Sequence, residues 1–141
     1  MTVEQESPAQ DSLEDKIAVA VDAYVELVAS GTGEQIADLF AADGTVEDPI
    51  GTPVRTTRDE IVEFYNVIAN MDTRTTVLNW KKIAGDTAVF EFVLTTGTAG
   101  MNFEITPVDI MVFDAEGKIT SMRAVWQPSD LRSEERRVGK E

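Results

Sequence analysis

The chain has 141 residues, 43% of them apolar, and carries 26 acidic against 12 basic side chains for a formal charge of −14. That supports one domain with a real core, and it argues against nucleic acid and anionic membranes as partners, since both need a Lys/Arg surface. Histidine and cysteine are absent, which removes disulfides, thiol nucleophiles and the usual zinc, copper and haem ligand sets and leaves proton transfer near neutral pH to carboxylate, tyrosine, lysine or water.

Met1 to Asp11 is polar, and residues 1–12 read as a disordered leader. Ser12 is the expected N-cap of a first helix, with Leu13, Ile17, Ala20, Val21, Tyr24, Leu27 and Val28 at helical spacing and Gly31 and Gly33 as its stop. Tyr24 lies on the apolar stripe and is expected to face inward. A short second helix is predicted over residues 34–42, burying Ile36, Leu39 and Phe40. A strand at Gly44 to Glu47 then leads into Asp48 and a Pro/Gly loop. Thr57 begins a third helix with Glu60 at the capping-box position, and Ile61, Phe64, Tyr65 and Ile68 form its inner stripe.

The remainder reads as four strands: Thr75 to Ile83, Thr87 to Thr96, Met101 to Phe113 and Lys118 to Trp126, with turns at Gly85-Asp86, at residues 97–100 and at residues 114–117. Helices followed by an antiparallel meander indicate an α+β domain whose helices pack on one face of a curved sheet. The domain is placed at residues 13–128. Residues 129–141 read as a charged, disordered tail: eight of the twelve residues from Asp130 to Glu141 are charged, and the composition departs from the domain before it. No early stretch resembles a signal peptide and no apolar run is long enough to span a bilayer, so a cytoplasmic protein without membrane insertion is expected. A Mg or Ca site built from carboxylates stays possible, but no acidic cluster has an EF-hand pattern and no metal ligand is singled out.

Two carboxylates stand out. Asp48 sits where an apolar stretch meets the Pro49-Ile50-Gly51 turn. Asp109 is the one charged residue between Ile105 and Phe113. A carboxyl among apolar neighbours has a raised pKa, and in a dry site it becomes a hydrogen-bond donor. Read by themselves, Asp48 also fits an ordinary turn aspartate, Asp109 a solvent-facing strand residue, and Tyr24 and Tyr65 core tyrosines.

The segments Tyr24-Val25, Leu39-Phe40-Ala41-Ala42-Asp43, Thr45-Val46-Glu47-Asp48-Pro49-Ile50-Gly51, Glu63-Phe64-Tyr65, Pro107-Val108-Asp109 and Gly117-Lys118-Ile119, with Ser121-Met122-Arg123-Ala124, together resemble the ketosteroid isomerases (steroid Δ-isomerases) of the NTF2-like, SnoaL-like superfamily, from about Leu13 to Pro128. The resemblance implies an NTF2-like cone, with three N-terminal helices on a strongly curved, mainly antiparallel sheet enclosing an apolar pocket. It implies a cofactor-free homodimer that moves a proton from C4 to C6 of a 3-oxo-Δ5-steroid through a dienolate. Asp48 then resembles the general base, Tyr24 and protonated Asp109 the oxyanion hole, and Tyr65 the tyrosine that hydrogen-bonds Tyr24. This division between an ionised base and a neutral acid is a known pattern of pKa tuning in that enzyme. Phe40 stands where some members have a further tyrosine. Phe90, Phe92, Met111, Met122 and Trp126, with Val125, are the candidate apolar walls for a steroid; plain core packing is the competing reading of each. Two alternatives stay open: an NTF2-like enzyme acting on another ketone or polyketide, and a non-catalytic module that binds an apolar ligand.

Overall fold

The computed structural model describes residues 12–135, so the expected leader before Ser12 and the last six residues of the tail lie outside the described residues. Helix α1 (Leu13–Ser30) begins at Ser12, whose hydroxyl accepts the Asp15 N–H at 3.1 Å, and it buries Ile17, Val21, Tyr24 and Val28 at three- and four-residue steps. Helix α2 (Gly33–Ala37) opens with a Thr32–Gln35 capping box and is shorter than the periodicity predicts. The chain is already extended at Phe40, because the Leu39 carbonyl accepts the Ile119 N–H at 3.0 Å and draws strand β1 (Phe40–Glu47) onto the sheet. Phe40 is thus buried from a strand, not from a helix. Helix α3 (Arg58–Ala69) starts at the expected Thr57–Glu60 capping box and buries Ile61 and Tyr65.

Gly33 lets α2 meet α3 closely. A Cβ placed there would lie 2.5 Å from the Val62 carbonyl oxygen and 2.6 Å from Asn66 Oδ1, and the Asn66 Oδ1 already accepts the Gly33 N–H at 2.9 Å. Gly33→Ala is therefore expected to cost about 1–3 kcal/mol in a urea-unfolding titration; an unchanged midpoint would show that the two helices part without penalty.

The sheet contains β2 (Thr73–Ala84), β3 (Thr87–Thr98), β4 (Met101–Ile105), β5 (Val108–Phe113), β6 (Ile119–Val125) and β7 (Arg132–Glu135) besides β1. Its order is β1-β6-β5-β3-β4-β7, with β2 on the other side of β3. The β1–β6 pair is parallel and the others are antiparallel. The expected third strand, Met101 to Phe113, is divided into β4 and β5 at Thr106-Pro107, since a proline has no N–H for the ladder. Its register against β3 nevertheless carries through, with Leu94 opposite Ile105 and Glu91 opposite Val108. The β3–β4 hairpin turns through Ala99 (φ 55°) and Gly100 (φ 83°), the two successive left-handed residues of a tight primed turn.

The tail expectation needs correcting in part. Pro128–Asp130 form a 3₁₀ turn, and Arg132–Glu135 pair antiparallel with β4, Glu104 opposite Arg132. The open edge of β4 offers unpaired backbone groups, and these accept an extended segment whatever its side chains. The sheet curls without closing. The three helices cover its concave side, and the core between them is one cluster that includes Ile17, Val21, Ile36, Phe40, Val46, Ile61 and Met111. Among the described residues no helix is long and apolar enough to cross a membrane.

Candidate active site

Side chains alternate across a strand, so inward residues on neighbouring strands form rungs two residues apart. Val46, Met122, Met111 and Ala88 make one rung, all fully buried. Two residues further along each strand come Asp48, Ala124, Asp109 and Phe90. Two beyond that are Trp126, Pro107 and Phe92, where the Phe92 N–H donates to the Pro107 carbonyl. The first rung is core. The second and third open into a cavity of about 420 Å³ whose lining includes Tyr24, Asp48, Phe64, Phe92, Asp109 and Trp126.

The turn carrying Asp48 follows directly on β1 and is held from several sides. Glu47 accepts the Gly51 N–H at 2.9 Å through one carboxylate oxygen and the Arg123 Nε–H at 2.9 Å through the other. These bonds, the Gly51 N–H first, hold its carboxyl below the ordinary glutamate value. The Ile50 N–H donates to the Ala124 carbonyl at 2.9 Å, and Val46 exchanges two backbone hydrogen bonds with Arg55 at 3.0 and 2.8 Å, closing the loop. Gly51 has φ 103°, a conformation few other residues take. The Asp48–Pro49 peptide bond is cis.

Asp48 is half-buried, and its Oδ1 accepts the Trp126 Nε1–H at 2.6 Å. Burial raises its pKa above the ordinary aspartate value, while the Trp126 hydrogen bond and the Arg55 charge pull the other way. Asp109 is 1% exposed, and its Oδ1 is buried without a hydrogen-bond partner. Burial first, and the Asp48 charge second, push its pKa well above the usual range, with the Tyr24 hydroxyl offsetting part of the rise. Both carboxyls thus move in the same direction, Asp109 further. Asp48 keeps the anion-stabilising partners, and Asp109 has the drier place.

The Tyr24 and Tyr65 hydroxyls lie 2.9 Å apart, and both are buried. Burial holds both phenols well above their ordinary pKa, so both are neutral hydrogen-bonding groups. The Tyr24 ring meets Phe90 and Phe92 edge-on at 6.0 and 6.3 Å between centroids, which fixes the phenol from the sheet side. Phe40 stands 6.3 Å from the Tyr65 ring. Having no hydroxyl, Phe40 adds no hydrogen bond to the Tyr24–Tyr65 pair.

Tyr24, Asp48 and Asp109 are therefore gathered around one cavity, with Tyr65 behind Tyr24. Of the candidate walls, Phe92 and Trp126 line the cavity. Phe90, Met111 and Met122 do not. They are fully buried in the core, Met111 and Met122 one rung too deep and Phe90 packed under Tyr24. Val125 points outward and is half exposed. Several contributors carry no sequence signal of their own role: the Trp126 donor, the Glu47 clamp, and Leu131, which lines the cavity from beyond the expected domain end. Arg55, whose guanidinium lies 4.2 Å over the Phe64 ring, has a buried Nη1 with no partner among the described residues. The described residues contain no group of three or more acidic side chains able to hold a metal ion.

A SnoaL-like domain model matches residues 21–122. A steroid Δ-isomerase from Nocardioides simplex is 40% identical over 116 residues, covering 82% of this chain and 94% of that protein. Among solved structures, SalBIII, an epoxide hydrolase/cyclase-like enzyme with a role in pyran ring formation in the polyether salinomycin, superposes with a TM-score of 0.77 at 26% identity, over 84% of this chain and 95% of that one. RV0760c from Mycobacterium tuberculosis superposes with a TM-score of 0.78 at 21% identity, over 89% of this chain and all of that one, and it bears on the fold alone. With its curled sheet, its three helices and the extent of these matches, the chain belongs to the SnoaL-like family of the NTF2-like superfamily, among the ketosteroid isomerases.

Proposed function

We propose that this chain, an isomerase by family, is a steroid Δ-isomerase that converts a 3-oxo-Δ5-steroid to the conjugated enone. The observation that carries the reading is Asp109 Oδ1, a buried carboxyl oxygen without a partner, opening with Tyr24 onto an apolar cavity that also holds Asp48. A buried polar atom left unpaired is costly unless a ligand supplies the bond. An oxygen that becomes negative during reaction would draw on both Tyr24 and a protonated Asp109.

In this mechanism the Asp48 carboxylate takes a proton from C4. The electron pair of that C–H bond moves toward C3, and the carbonyl oxygen gains the negative charge of a dienolate. Tyr24 and protonated Asp109 donate to that oxygen, and Tyr65 donates to Tyr24, freeing the Tyr24 proton for the substrate. Asp48 then returns the proton at C6, and the C3 carbonyl reforms with the double bond between C4 and C5. Every step is a proton transfer, so no cofactor enters. The reading extends to a cytoplasmic homodimer, for which the exposed Val77 and Trp80 on β2 and Val125 on β6 offer apolar contact surface. A second reading, action on another ketone or polyketide, is favoured by the likeness to SalBIII.

Growth of enone absorbance with androst-5-ene-3,17-dione tests the assignment directly; a wild-type enzyme that leaves this substrate unchanged would point to the second reading. Trp126→Phe keeps the ring and removes the donor at 2.6 Å from Asp48. Without that bond the charged form of Asp48 is less favoured, so the acid limb of the kcat/KM profile should move to higher pH. Turnover above the limb should fall about tenfold or less. A profile superimposable on wild type would deny Trp126 any part in holding the base.

A further inference from the structure

Tyrosines aside, two polar or charged side chains are buried among the described residues, Asp109 at 1% and Thr96 at 7% exposure. Both line the same cavity. They face it from opposite ends. Phe90, paired with Asp109, and Thr96 both lie on the inward face of β3, six residues apart, which is at most roughly 20 Å of strand. Between them the inward positions are Phe92 and Leu94, both apolar. Around Thr96 the cavity is lined by Val28, Phe103 and Ile105.

Thr96 makes no side-chain hydrogen bond to another described residue, and its hydroxyl is not among the buried polar atoms left unpaired, which are Asp109 Oδ1 and Arg55 Nη1; it opens onto the cavity. Its neighbour across the β2–β3 pair is Arg74, whose guanidinium is committed to the Val28 and Gly31 carbonyls at the end of α1, at 3.2 and 2.9 Å. Valine would fill the same space, suit a strand equally well and spare the desolvation of a hydroxyl. A threonine here instead presents its hydroxyl to the cavity, where an occupant can meet it.

We propose that Thr96 is a second polar subsite, at the far end of the cavity from Asp109, that hydrogen-bonds an oxygen on the distal end of an elongated ketone. The ligand class is a polycyclic 3-ketone bearing a carbonyl or hydroxyl on its last ring or on a short side chain. The inference rests on the reading that the ketone oxygen sits at Tyr24 and Asp109, and it adds a discrimination among steroids that the catalytic groups cannot make.

Equilibrium binding of conjugated product steroids tests it without requiring turnover. The probes are androst-4-en-3-one, androst-4-ene-3,17-dione and pregn-4-ene-3,20-dione, titrated against the wild type, Thr96→Val and Thr96→Ser. Wild type should prefer at least one of the doubly oxygenated steroids by about 5–10-fold, the value of one neutral hydrogen bond. Thr96→Val should bring the ratio close to one by weakening only that ligand, and Thr96→Ser should keep the preference. The proposal is overturned if Thr96→Val leaves the preference intact, weakens all three steroids alike, or if wild type shows no preference; a cavity water would then be the partner of the hydroxyl. Enone formation by the wild type is scored separately. Turnover without Thr96-dependent discrimination sinks this subsite alone, whereas a wild type that binds none of the steroids sinks both readings.

Discussion

Asp48→Asn is expected to lower kcat by about 10²–10⁴-fold, the usual worth of a positioned general base, with a smaller change in KM. The amide fills the same volume and can still take the Trp126 N–H through its oxygen, so the turn bound by Glu47, Gly51 and Ala124 should stay in place. What is lost is the proposed proton acceptor. The pH dependence gives a separate check. As the proposed base, Asp48 would need to be ionised, and burial has raised its pKa. Activity should therefore be full above that raised value and fall as pH drops through it, at a pH above the ordinary aspartate range. The residual activity of Asp48→Asn should lack this limb. Wild-type rates from Asp48→Asn, or an unchanged acid limb, would remove Asp48 from the chemistry.

The second large effect belongs to the opposite wall. Asp109→Ala and Tyr24→Phe should each reduce kcat by about 10²–10³-fold, because each removes one of the two donors proposed for the developing oxyanion. Asp109→Asn is informative in another way, since an amide is neutral at every pH and still donates. The folded-state pKa of Asp109 is raised. Its protonated form is therefore the one compatible with the fold, and stability is fullest below the ordinary aspartate pKa near 4. That contribution declines as pH rises toward the elevated folded value. Asp109→Asn should flatten this part of the stability profile and be at least as stable as wild type at neutral pH. Denaturant titrations across pH measure it. A wild-type profile that instead gains stability through this window, with the gain abolished by Asp109→Asn, would mean that Asp109 is stabilised as an anion.

The fold was legible where local rules decide. Ser12 and Thr57 announce helix starts, Gly85 and Gly100 the hairpins, and helical or alternating apolar spacing the faces. It was less legible where backbone pairing with a distant strand decides, as at Phe40 and at Arg132–Glu135. The site divides in the same manner. Tyr24, Tyr65, Asp48 and Asp109 are singled out by residue type and order, and the structure gathers Tyr24, Asp48 and Asp109 around one cavity with Tyr65 bonded to Tyr24. Met111 and Met122 are indistinguishable in sequence from Phe92, and only the register shows that their rung faces packed side chains while the rung of Phe92 faces a cavity; Phe90 shares the Asp109 rung but is covered by the Tyr24 ring. Trp126 reads as another wall, yet its indole reaches Asp48 across 78 residues of chain. Nothing in the sequence marks Glu47, both of whose oxygens are spent on the turn and on Arg123.

Trp126 belongs at once to the surface that a ligand would press against and to the group proposed to take its proton. Fit and reactivity are then mechanically linked. A ketone that crowded the indole would tilt it, and the tilt would be passed through a single short bond to the carboxylate. Such a molecule can occupy the cavity with good affinity and still go unreacted, because the acceptor no longer points at its C4 hydrogen. Selection among substrates would accordingly be made after binding, in the rate of enolisation. Close analogues that fail as substrates should be found among the competitive inhibitors.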